Sequence, residues 1–274
     1  MNALEYLGMI AAGPVPANIY YGQWMLFANY LVLYYRTPEN EYSLLFVVLV
    51  LCICNLILNL YQVYTQQMLT GNPLTAELEP ELSDHITSRA NKHYVTVVSK
   101  KLVTNFPTIN AFCARLRHNA EIVISHHWFE SEEGKKHLHF ILEHEFGHAA
   151  HNHSLKRALF SSAGYIAITI SMFTAYAWLF PTWTYRYHAV TALGFVATTI
   201  QAYAQAWYTR HTEFEADAFG AAASSPEEMR DALLFLESKN PYDLLTTNIP
   251  EWKQGTHPKM SNRIARLEAM KKAQ

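Results

Sequence analysis

The segment FILEHEFGHAAHNHSLKR, Phe140 to Arg157, sets His144 and His148 four residues apart, with Glu145 directly after the first. On a helix such positions stack on one face, so the two imidazoles can reach one metal ion. Glu145 can then reach a water on that ion without being a ligand itself. Phe140, Ile141 and Leu142 supply apolar residues upstream to seat the helix. An imidazole pair with an open coordination position suits catalytic zinc. Such an ion lowers the pKa of its water to about 7, and a nearby glutamate takes the proton as the water attacks a carbonyl. The chain holds 14 His, so the motif does not decide the matter alone.

A catalytic zinc site usually takes a third protein ligand. His151 and His153 are close by, but no glycine turn leads to a third histidine here. Both read as polar residues at a helix end, where the macrodipole favours partial positive charge. Downstream, TRHTEFEADAFGAAA begins at Thr209 and should be helical. Glu213 and Asp217 then share one face, and Glu215 is rotated away from it. Glu213 can be the third ligand, with Asp217 bonded to the far nitrogen of a ligand histidine. Taken alone, the segment could equally be a solvated acidic turn.

The elements that must position these residues show in the composition. Charged residues are 16% of the 274 and hydrophobic residues 50%, against a usual charged quarter. That points to membrane contact or a large core. A net charge of −2 argues against a nucleic-acid partner. Cys52, Cys54 and Cys113 form no disulfide framework and fit a reducing compartment. No Lys or Arg precedes Arg36, so a cleavable signal peptide is not expected and the first apolar stretch should be retained.

Four windows lack charge: Tyr6–Tyr35, Tyr42–Ala76, Ala158–Tyr185 and Tyr187–Thr209. Each holds the roughly 20 residues that span a bilayer as a helix. Pro14 and Pro16 interrupt the first, whose span should start near Ala17. Asn18, Gln23, Asn29, Asn55, Asn59 and Gln62 in the first two spans suit interhelical hydrogen bonds. Spans three and four, rich in small residues, could instead be buried helices of a soluble protein. Lys and Arg concentrate in Gln66–Arg157 and after Thr209, while the short connections hold only Arg36 and Arg186. The positive-inside rule places both basic segments in the cytoplasm. Between the spans, PELSDHITSRANKH reads as a helix with Ser83 or Asp84 near its cap. YVTVVSKKLV, NAFCARL and EIVISHHWF read as strands, and KKHLHFILEHEFGHAAHNH as a helix.

HEFGH at 144–148, followed after a membrane-sized hairpin by EFEAD at 213–217, resembles the integral-membrane zinc metallopeptidases that include the HtpX heat-shock protease and the CAAX prenyl protease. NAF at 110–112 and AEIVIS at 120–125 resemble that family's strands before the catalytic helix, and THPKMSNRIARLEAM from Thr256 its tail. The likeness runs from about Leu82 to the end, and the order of spans agrees with the HtpX subgroup. Residues up to about Gln67 match nothing specific.

The resemblance implies one Zn2+ per chain on His144, His148 and Glu213, with Glu145 as catalytic base and Asp217 behind a ligand. It implies His257 as a candidate stabiliser of the oxyanion and Arg263 as an ion-pair anchor for the tail. Asn110, Ala111 and Phe112 would offer a strand edge to an extended substrate.

The expected fold is mainly α: a membrane-embedded gluzincin metallopeptidase with about four transmembrane helices and a small β-sheet in the catalytic domain. Residues 1–67 would form an N-terminal membrane region with two spans, 68–157 the first catalytic part, 158–209 a transmembrane hairpin, and 210–274 the second catalytic part. The expected partners are a polypeptide substrate and the lipid bilayer. The expected activity is hydrolysis of misfolded or selected membrane proteins by a zinc-activated water. A specific processing protease and a non-catalytic zinc scaffold are the alternatives, and Glu145 speaks against the scaffold.

Overall fold

The computed structural model describes residues 49–57, 60, 75–104, 108–116, 119–179, 186–239 and 257–273. The expected first span, with Pro14 and Pro16, lies outside them, as do both ends of the second. The chain divides into two compact units, residues 63–156 with 209–274, and residues 1–62 with 157–208.

The first of these is a helical unit carrying a small mixed sheet. A short β1 (Thr75–Ala76) leads to α1 (Pro80–Lys92), then β2 (Thr96–Val103), β3 (Ala111–Leu116) and β4 (Asn119–Ser125). The strand order is β1-β2-β4-β3. β2 runs parallel to β4, while β3 pairs with β4 antiparallel, Cys113 opposite Ile122. β4 is central and buried from Ala120 on, as its run of β-branched residues dictates. β3 is left at one margin.

A 3-10 turn (His126–Phe129) follows, then α2 (Glu132–Ala150). Ser131 caps α2, its Oγ accepting from the Gly134 N–H at 3.0 Å. HHWF was expected to extend β4. Instead Trp128 turns inward, fully buried, and its Nε1 donates to the Asn110 carbonyl. The cap of α1 also differs from expectation. Pro80 stands at the first helical position, where a missing N–H costs nothing. Ser83, inside the helix, instead receives Lys100 Nζ on its hydroxyl and carbonyl. Ile86, Ile122, Ile124, Leu138, Leu142, Phe146 and Leu267 belong to one buried cluster that joins sheet to helices.

The other unit holds most of α3 (His153–Thr174), a π turn (Ala175–Leu179) and the first part of α4 (Arg186–Ala223). Its surface inverts the usual pattern. Ile170, Trp178, Leu193, Val196, Ile200 and Trp207 face outward, while Ser161, Ser162, Thr169, Thr198 and Gln205 are buried. Gln201 and Gln205 donate to the Phe160 and Arg157 carbonyls. Polar groups inside and apolar ones outside suit a lipid environment. Among the described residues, one helix, His153–Trp178, is long and apolar enough to cross a membrane. Four spans were expected. Residues 49–57 of the second are helical. The fourth forms the start of α4, where Thr198, Gln201 and Gln205 dilute the apolar run.

α5 (Pro226–Lys239) and α6 (Met260–Ala273) complete the sheet-bearing unit. Ser225 caps α5, its Oγ accepting the Glu228 N–H and donating to Glu228 Oε2. α6 is tied down by Lys271 to Glu227 on α5 and by Arg266 over the Phe214 ring at 3.9 Å.

Candidate metal centre

α2 and the C-terminal part of α4 carry the candidate site, and glycine decides how closely they approach. A Cβ on Gly147 would lie 3.0 Å from the Ala216 Cα and from the Phe219 Cβ. On the facing helix, a Cβ on Gly220 would lie 3.2 Å from the His144 backbone nitrogen. The two notches let α4 lie directly against the HEFGH turn. A Gly147→Leu change must push the helices apart, at a cost of about 1–3 kcal/mol for overpacking. The expected result is a lower melting temperature and a weaker affinity for zinc, read by thermal unfolding and chelator competition. A variant that binds zinc like the parent would show that the crossing tolerates the bulk.

The crossing brings His144, His148 and Glu213 together. The Nε2 atoms of the histidines are 3.1 Å apart. Glu213 Oε2 is 3.5 Å from His144 Nε2, and Oε1 is 3.4 Å from His148 Nε2. A tetrahedral ion with bonds of about 2.0–2.1 Å needs ligand atoms roughly 3.3 Å apart, so the trio fits zinc. A second trio, His126, His127 and Glu130, also brings its ligand atoms within 4.8 Å of one another. It lies at the surface, with the Glu130 side chain 59% exposed, so solvent competes for every ligand.

Glu145 and Asp217 are buried along with Glu213. Burial pushes the Glu213 carboxyl up, but the charges of His257 and His148 and bonds from His144 and His148 hold it well below the usual range. Asp217 is likewise raised by burial and then drawn down, to about 2, by Arg263 and His144. His144 is lowered by burial, but its bonds to Asp217 and Glu213 carry it up to about 9. Such surroundings favour positive charge where the three side chains meet.

Each histidine of the trio is held from behind. His144 Nδ1 lies 2.9 Å from Asp217 Oδ1, which places the proton on Nδ1 and leaves Nε2 as the donor atom. Asp217 is gripped in turn by Arg263, Nε to Oδ2 at 2.8 Å and Nη2 to Oδ1 at 2.6 Å. His148 Nδ1 lies 2.8 Å from His153 Nδ1, and His153 Nε2 lies 3.0 Å from Glu215 Oε2. The sequence reading missed this pair. His151 behaves as expected, its Nδ1 donating to the Gly147 carbonyl at the end of α2. His153 does not, because it is buried. The left-handed Asn152, φ 54°, turns the chain back so that α3 starts against His148. Asn tolerates that conformation better than other side chains, and an Asn between two histidines was the available signal.

Glu145 is not one of the three. Its Oε2 accepts the Cys113 N–H of β3 at 2.9 Å. The outer margin of β3, the side away from β4, therefore runs beside Glu145. Ala111 and Phe112 lie in that strand. Asn110 precedes it, its backbone engaged with Ser125 and Trp128. His257 stands just before α6, its side chain 71% exposed and its Nδ1 3.3 Å from Glu213 Oε2.

The sequence model of peptidase family M48 matches residues 75–271. No curated protein matches the chain. Among solved structures, the crystal structure of S. mikatae Ste24p is similar, with a TM-score of 0.64 at 15% sequence identity. The likeness, one of fold, covers 89% of this chain, which spans only 62% of that one.

Proposed function

The chain belongs to peptidase family M48, and on that premise we propose that it is a membrane-embedded zinc endopeptidase. One observation carries the reading: atoms of His144, His148 and Glu213 converge at tetrahedral spacing, and the glutamate that directly follows His144 is buried and not among them. His144, His148 and Glu213 would hold the ion. When bound, zinc supplies Lewis-acid polarisation of the scissile carbonyl and of the attacking water.

Glu145 accepts the proton of that water and returns it to the leaving amine nitrogen. The Cys113 amide fixes its carboxylate for both transfers. The substrate lies extended along the outer margin of β3, at Ala111 and Phe112, which brings a peptide bond to Glu145 by strand addition. His257, at the edge of the ligand set, donates to the developing oxyanion. Asp217 keeps His144 in the ligating tautomer.

The membrane part of the reading rests on the outward apolar side chains of the α3 and α4 unit and on the distribution of basic residues. By the sequence pattern, residues 1–67 and 158–209 would supply four spans, and residues 68–157 with 210–274 a catalytic domain facing the cytoplasm. The substrate class in this reading is unfolded polypeptide, including loops of misfolded or selected membrane proteins.

Metal depletion tests the proposal. Detergent-solubilised protein stripped of metal should lose cleavage of unfolded casein and recover it with one zinc per chain. Zinc-dependent cleavage of a single defined peptide, with casein untouched, would replace quality control with specific processing. Stoichiometric zinc binding without cleavage of any peptide would leave a scaffold.

A further inference from the structure

The two ligand histidines are supported by different means. Asp217 and Arg263 stand behind His144. Behind His148 stands another imidazole. His153 is 1% exposed and its Nδ1 lies 2.8 Å from His148 Nδ1. Two nitrogens at that distance share one proton. If His148 ligates through Nε2, its Nδ1 carries the proton and His153 Nδ1 must accept it. That in turn requires the proton of neutral His153 on Nε2, which faces Glu215 Oε2 at 3.0 Å. Glu215, 42% exposed, accepts that proton and sets the tautomer of the whole chain. The His151 ring stacks on His153, tilted 13° from it at 5.3 Å.

We propose that His153, oriented by Glu215, is the positioning residue that holds His148 in its zinc-binding tautomer and direction. The inference rests on the zinc reading above. Its chemistry is specific, since only a side chain with an acceptor at the Nδ1 position can do the work. A phenyl ring fills the same space and offers none. Asn places its Oδ1 close to where His places Nδ1, so it restores the acceptor without the ring.

The test uses the full chain in detergent, with zinc itself as the probe. The dissociation constant is read by chelator competition, and Co2+ absorption reports the ligand geometry. His153→Phe should weaken zinc binding about 10–100-fold, the range for partners behind a ligand. It should also alter the Co2+ spectrum, while the metal-free protein unfolds at the parent temperature. His153→Asn should recover most of the affinity. Glu215→Ala, a change at a half-exposed position, should weaken binding several-fold, and it carries the test if His153→Phe does not fold.

Parental affinity in His153→Phe, or in Glu215→Ala where it stands alone, overturns the proposal and leaves the zinc reading intact. Equal losses in the Phe and Asn variants, matched by lower metal-free stability, make His153 a packing residue and also overturn it. A parent protein that binds no zinc overturns both.

Discussion

Glu145→Gln is expected to abolish measurable peptide hydrolysis while leaving zinc bound at one ion per chain. The fall should be about 10²–10⁴-fold, the range for loss of a positioned acid–base group. Glu145 is buried, directly follows His144 and is not part of the candidate trio, so the change removes none of the three proposed ligands. The amide is isosteric with the carboxylate, and its Oε1 can still accept the Cys113 N–H that fixes the parent side chain. The strand and the helix therefore keep their relation, and only the ability to take a proton is lost. Activity is read on unfolded casein with zinc in excess, and bound metal by stoichiometry after gel filtration. A variant that cleaves at the parental rate would take Glu145 out of the mechanism and leave the trio without an identified base.

The two halves of the candidate trio could be paired by spacing. His144 with His148, and Glu213 with Asp217, each lie one helical turn apart, so each pair shares a face wherever the helix goes. The contact between the pairs was not encoded in this way. It depends on Gly147 and Gly220, whose notches set the distance between α2 and α4. Glu215 was read as turned away from the site, and with respect to Glu213 it is. The start of α3 comes round to meet it, because Asn152 reverses the chain in a left-handed turn. A helical wheel shows which residues share a face and cannot show what another helix brings to the opposite one. The same limit explains HHWF, which has strand-like composition but is drawn into a 3-10 turn by the burial of Trp128. It also explains Ser83, where Pro80 starts the helix earlier than a polar cap would.

Arg263→Leu should be the most destabilising single change near the site. The guanidinium is buried and bonds both Asp217 oxygens, at 2.6 and 2.8 Å. Taking away one partner of a buried pair costs about 3–5 kcal/mol, because it leaves the other charge uncompensated. For a domain of this size that corresponds to a melting temperature roughly 10 °C lower. Arg263→Lys should recover only part of the loss, since an ammonium group cannot reproduce the two-pronged contact. Zinc affinity should fall too, as Asp217 loses the partner that orients it toward His144 Nδ1. The double change Asp217→Asn with Arg263→Leu separates charge from packing. If the pair is what Arg263 contributes, the double variant will be more stable than the two single losses added together. Strict additivity, or a parental melting temperature in Arg263→Leu, would mean that α6 is held to α4 by other contacts, such as Arg266 on Phe214. His257 lies three positions before α6 and against Glu213. Loosening α6 should therefore also lower kcat with saturating zinc, linking the tail's anchor to the chemistry it presents.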